Sequence, residues 1–113
     1  MITKIPKAPS EHEAYFRLQL RAHKIYVFKE QYKFHPDRQW KIDFAYPSKR
    51  LGIEIDGGIF GKKSGHNTGV GILRKIEKMN AAVRLGWRIF TFSGDQVKNG
   101  YAINYILEVL NES

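Results

Sequence analysis

Residues 41–58 read KIDFAYPSKRLGIEIDGG, two apolar segments that each carry carboxylates and that meet across Pro47-Ser48-Lys49-Arg50. Pro47 pre-sets φ for a reversal and the three residues after it are at ease in solvent, so an antiparallel hairpin is expected. In the first segment Trp40, Ile42, Phe44 and Tyr46 alternate with Lys41, Asp43 and Ala45; in the second Leu51, Ile53 and Ile55 alternate with Gly52, Glu54 and Asp56. Turning both apolar faces toward one core gathers Asp43, Glu54 and Asp56 on the other face. Carboxylates crowded in this way repel and raise one another's proton affinity unless a cation compensates, and a hard divalent cation takes oxygen ligands. A half-exposed hairpin with a merely polar outer face shows the same alternation, with Glu54 and Asp56 paired to Lys41 and Lys49. The hairpin alone leaves both readings open.

The rest of the chain narrows them. Its 113 residues suit a single domain, 1–113, with one core. A 42% hydrophobic share that includes seven Phe, six Tyr and two Trp excludes a mainly disordered chain. The absence of cysteine excludes disulfides, zinc-thiolate sites and thiol catalysis, and agrees with a reducing compartment. With no signal-peptide pattern in MITKIPKAPSEHE and no apolar run of membrane-spanning length, a soluble protein of the cytoplasm is expected, with no membrane partner. The net charge of +8 arises although several of the 11 acidic residues fall in or near the proposed cluster, so the remaining surface is more basic still. A positive surface around a negative pocket favours a polyanion held by its phosphates, with a bound cation neutralising the pocket.

Residues 1–9, with Pro6 and Pro9, read as an extended arm. Ser10-Glu11-His12-Glu13 fits a capping box, starting a helix to about His23 whose stripe is Ala14 and Leu18, flanked by Phe16 and Leu20. Ile25–Phe34 reads as a strand, broken near Glu30-Gln31, and His35-Pro36-Asp37-Arg38 as a turn into the hairpin. GGIFGKKSGHNTGVG, which begins at Gly57, then holds six of the ten glycines together with Lys62, Lys63 and His66. A long glycine-rich loop beside an acidic cluster suits phosphate contact, although it lacks the order of a nucleotide-binding P-loop. Residues 72–85 place Ile72, Ile76, Met79 and Val83 on one helical face, put Arg74, Lys75 and Lys78 on others, and end at Gly86. Residues 87–92 form a strand with apolar character on both faces, Ser93-Gly94-Asp95 a turn, and 101–110 a closing amphipathic helix. His12, His23 and His35 have no metal-ligand spacing to one another and are expected at the surface or in packing. The order of elements is that of an α/β sandwich with a mixed sheet of about four strands.

A helix carrying Glu, a hairpin carrying Asp and then E-x-D, and a following helix and strand resemble the core of the PD-(D/E)XK nuclease superfamily over nearly the whole chain. IEIDGG, Gly65-His66, EKMNAA, LGW and RIFTFS are more narrowly similar to small phage and bacterial endonucleases related to very-short-patch repair enzymes. The resemblance implies a restriction-endonuclease-like fold and a DNA endonuclease, of use in repair or recombination, in a bacterial cytosol or a phage-infected host. It implies Mg²⁺, with Mn²⁺ able to substitute, held by Asp43, Glu54, Asp56 and the first-helix Glu13. Asp56 stands where the superfamily has the lysine of E-x-K, and Lys78 of EKMN is the candidate for that displaced cation. His66 is a candidate general acid or phosphate donor. Lys62, Lys63, His66, Arg74 and Lys75 are candidate contacts to duplex or branched DNA. A homodimer and a nicking monomer both remain open, as does a binding module of the same fold without catalysis.

Overall fold

Ser10 sets the start of the first helix in the computed structural model, which describes residues 10–56 and 69–112. Its hydroxyl accepts the Glu13 amide at 3.0 Å, and α1 runs Glu11–Ala22. The helix closes as a Schellman motif with Lys24 in the left-handed region (φ 60°), the Ile25 amide donating to Leu20 and the Lys24 amide to Arg21. The extended-arm reading of 1–9 and the loop reading of 57–68 lie outside the described residues.

Four strands follow: β1 (Lys29–Lys33), β2 (Lys41–Tyr46), β3 (Leu51–Asp56) and β4 (Arg88–Ser93). They form one sheet in the order β1-β2-β3-β4, antiparallel except for the β3/β4 pair, which is parallel. The β2/β3 reversal is a 3-10 turn at Pro47–Lys49 that ends with Arg50 in the left-handed region. The parallel pair needs a crossover, and α2 (Gly69–Arg84) provides it. Two further helices, α3 (Gly94–Lys98) and α4 (Tyr101–Asn111), complete the chain. The fold is therefore α/β, a mixed four-stranded sheet flanked by helices, as the sequence led one to expect.

Several local expectations are corrected. Residues 93–95 do not form a simple turn: Ser93 and Gln96 make a reciprocal capping box that starts α3. The β4 strand, whose two-faced apolar character suits a parallel strand, does pair parallel with β3 and lies at the sheet edge. On α1 the buried residues are Phe16 and Leu20, whereas Leu18 is 62% exposed. On α2 only Ala82 is buried, and Ile72, Ile76 and Val83 face solvent. The helix instead turns Lys78 and Ala82 toward the sheet, with Lys75 at the margin, for a reason that lies in β3.

The sheet separates two apolar layers. On one side α1, α3 and α4 bring Phe16, Leu20, Val97 and Ile106 onto Phe44, Ile53, Ile55 and Phe92, with Phe16 edge-on to Phe44 at 5.2 Å. On the other Ala82 and Trp87 pack on Ile42 and Ala45. Ile42 and Phe44 thus face opposite layers, so the strict alternation expected along β2 breaks at Asp43. Gly52 permits the close approach on the α2 side, since a Cβ there would lie 2.6 Å from Ile89 Cδ1 and 3.0 Å from Ile42 Cγ2.

The α2 terminus is also Schellman-type, with the Trp87 amide donating to Ala82, the Gly86 amide to Val83, and Gly86 at φ 87°. A Cβ at Gly86 meets nothing closer than Arg50 Cδ at 4.0 Å, so only the backbone conformation opposes a side chain. Gly86→Ala is accordingly expected to destabilise the protein by about 1–2 kcal/mol, read from urea midpoints at unchanged m.

Candidate active site

Beyond the Phe44↔Ile53 pair the regular β2/β3 register stops. At that point two side chains occupy the gap between the strands. The Ile55 amide donates to Asp43 Oδ2 at 2.8 Å, and the Asp43 amide donates to Glu54 Oε2 at 3.1 Å. Each backbone donor keeps a partner, as a buried N–H must, but the partner is a carboxylate rather than a carbonyl. Two acids are thereby fixed side by side at the mouth of the hairpin.

Glu54 is only 6% exposed. Burial is the main influence raising its carboxyl above the ordinary glutamate value, and the neighbouring charge of Asp43 pushes the same way. Lys78 opposes both, its Nζ donating to Glu54 Oε1 and Oε2 at 3.0 and 3.1 Å. Lys75, one turn earlier on α2, pairs with Asp56. The two lysines explain why α2 faces the sheet with a polar stripe: β3 offers carboxylates there, and cations answer them.

The third support comes from β1. Gln31, between the pairs Glu30↔Phe44 and Tyr32↔Ile42, lies across from Asp43 and holds a left-handed φ of 50°. Such a conformation costs a non-glycine residue about 1–3 kcal/mol, and here it brings the side-chain amide between two acids. Nε2 approaches Glu13 Oε1 at 3.3 Å and Asp43 Oδ1 at 3.4 Å. The Glu13 amide serves the Ser10 cap, and its carboxylate is joined to Asp43 through Gln31.

The site residues read from the sequence therefore divide. Asp43, Glu54 and Lys78 come together, with Glu13 joined through Gln31. Asp56 is drawn to Lys75 rather than into the pair, and among the described residues no three Asp, Glu or His side chains form a group that could hold a metal. The alternative pairing of Glu54 and Asp56 with Lys41 and Lys49 is replaced by Lys78 and Lys75. Lys75 is committed to Asp56 in this arrangement, whereas Arg74 is exposed. Lys62, Lys63 and His66 lie outside the described residues. Gln31 is the site residue that motif reading missed; the break expected near Glu30-Gln31 was its one signal.

No protein-family model matches the sequence, and no curated protein does. Among solved structures, the chain is similar to the catalytic domain of the homing endonuclease I-Bth0305I, with a TM-score of 0.65 and 18% identity over 93% of this chain and 100% of that one. At this identity the likeness establishes a shared fold.

Glu54 fixes the sign of one pH effect. Its proton affinity is higher folded than unfolded, so its favourable contribution is complete below the unfolded value and is lost as pH rises through the raised folded value. Lys78 limits that loss. Lys78→Met is expected to destabilise the metal-free protein by about 3 kcal/mol at pH 8 and by distinctly less at pH 5, in urea unfolding at both pH values.

Proposed function

We propose that this protein is a metal-dependent DNA endonuclease of PD-(D/E)XK type, hydrolysing phosphodiester bonds at the Asp43/Glu54 site. The observation that carries the reading is the pair itself: two acids locked together by each other's strand and faced by a lysine, in the fold of a homing endonuclease catalytic domain.

The donor set suits Mg²⁺ or Mn²⁺. Mg²⁺ is commonly held by one or two carboxylates together with substrate phosphate and water rather than by an all-protein cage. Asp43 and Glu54 supply two carboxylates whose mutual repulsion a divalent ion would relieve, and Glu13 stands one amide away. A bound ion would supply Lewis-acid stabilisation of the phosphate and a more acidic water.

The chain's own groups have separate tasks. Glu54, oriented by Lys78 and the Asp43 amide, presents a fixed carboxylate instead of a mobile one. Asp43 is held by the Ile55 amide and by Gln31, which positions it without contributing charge. Lys78, beside the Glu54 carboxylate, would stabilise negative charge growing on a phosphate brought to the pair and so take the part of the lysine that Asp56 displaces from the motif. Asp56 and Lys75 form the outer edge, and the basic surface holds the polyanion.

Purified protein is expected to cut plasmid DNA in Mg²⁺ or Mn²⁺ and to stop in EDTA. Asp43→Asn and Glu54→Gln keep the shape of the site and should each lower kcat/KM at least about 100-fold while the thermal transition is retained. Undiminished cleavage by either variant refutes the assignment. Mg²⁺ at a hundred times its dissociation constant should stabilise the wild type by about 2.7 kcal/mol, and Glu54→Gln much less, in thermal unfolding.

A further inference from the structure

We propose that the β1–β2 connection, residues 34–40, is a DNA-gripping platform in which Arg38, set over the Trp40 ring, takes a backbone phosphate beside the active site. The inference rests on the nuclease reading above and adds to it the element that positions the substrate strand.

Placement comes first. The strands β1 and β2 close at the Lys33↔Lys41 pair, and Lys41 precedes Asp43 by two residues, about 7 Å along a strand. The connection therefore opens at the end of the sheet where the carboxylates lie.

Its construction is rigid. Phe34 packs against the core through Trp87, with ring centres 6.3 Å apart. Trp40 stacks on Phe34 at 6.4 Å with 14° between planes, and His35 meets the Trp40 ring edge-on at 5.4 Å. His35 Nδ1 accepts the amides of Asp37 and Arg38, both at 3.1 Å, which fixes the turn. The Arg38 guanidinium carbon lies 3.9 Å from the centre of the Trp40 ring. A guanidinium over an aromatic face is attracted to the ring and can still present its N–H donors for two-pronged contact with a phosphate.

Charge supplies an independent reason. Lys33 and Lys41 are exposed and directly opposite each other, an arrangement in which like charges repel. Among the described residues no carboxylate forms an ion pair with Lys33, Lys41 or Arg38. Farther along β1, by contrast, Glu30 is answered by Arg17 of α1. Two lysines without carboxylate partners beside the Arg38 guanidinium, next to the proposed site for phosphodiester chemistry, fit an anionic strand as the counter-charge. The contact is to backbone phosphate, so it positions the strand without reading sequence.

The test measures binding of a fluorescein-labelled DNA duplex to the full chain in EDTA across a range of NaCl, beside single-turnover cleavage at saturating DNA in Mg²⁺. Arg38→Ala should weaken binding about tenfold and lower the salt slope by about one, with the saturated cleavage rate unchanged. Trp40→Ala, which removes the support and leaves Arg38 in place, should weaken binding in the same direction. Lys33→Ala/Lys41→Ala should also weaken binding, yet unfold at the same or a higher urea concentration, which separates lost contact from lost folding. If the wild type binds and cuts while Arg38→Ala has the wild-type affinity and slope, the platform is wrong and the nuclease reading stands. If the wild type neither binds nor cuts DNA, the nuclease reading falls and the platform falls with it.

Discussion

A carboxylate buried as deeply as Glu54 calls for a compensating cation, and the contact between Glu54 and Lys78 organises much of the molecule around that need. Isolated, a buried charge would be too costly to keep, and the group would take up a proton instead. Lys78 can reach it only if α2 turns a polar stripe toward the sheet. That orientation sends Ile72, Ile76 and Val83 outward, against the usual rule that a helix buries its most apolar side. Packing beneath α2 is then left to Ala82 and Leu85 with Trp87, while Gly52 leaves room for the Ile42 and Ile89 side chains on that face of the sheet.

The second constraint is the opening of the β2/β3 ladder. Hydrogen bonds that would have zipped the hairpin to its end are redirected to two side chains, so the acids are held by the backbone of the opposite strand. Pre-fixed groups lose little freedom when they meet a substrate, which is the main advantage of building a site on strands rather than loops. Gln31 carries the accompanying strain, tolerated in an exposed strand at the sheet edge where its backbone is least confined by neighbours. The site thus draws on β1, β2, β3, α1 and α2, and the apolar layers on both faces of the sheet keep those elements in place.

Legibility in the sequence followed the range of the interactions. The Pro47–Arg50 reversal, the Ser10 cap and the Gly86 stop were readable because each is settled by residues within one turn of chain. The inward faces of α1 and α2 were not. Hydrophobic periodicity favoured Leu18 over Phe16 and Ile76 over Lys78, because it has no knowledge of carboxylates arriving from a distant strand. The face change between Ile42 and Phe44 was hidden for the same reason: period-two alternation assumes an unbroken ladder, and Asp43 breaks it. Ser93 and Gln96 form a capping box that was local and available, masked by a glycine that reads as a turn.

By itself the sequence determined the α/β order of elements, the hairpin, and the residue types that could do phosphodiester chemistry, since composition, turn residues and strand alternation act over short distances. Only the tertiary structure decided which acids meet, that Asp43 and Glu54 form the pair while Asp56 goes to Lys75, and that Gln31 joins them. Those choices depend on register between strands and on the rotation of α2 about its axis, both of which are set by burying charge and apolar surface together across segments far apart in the chain.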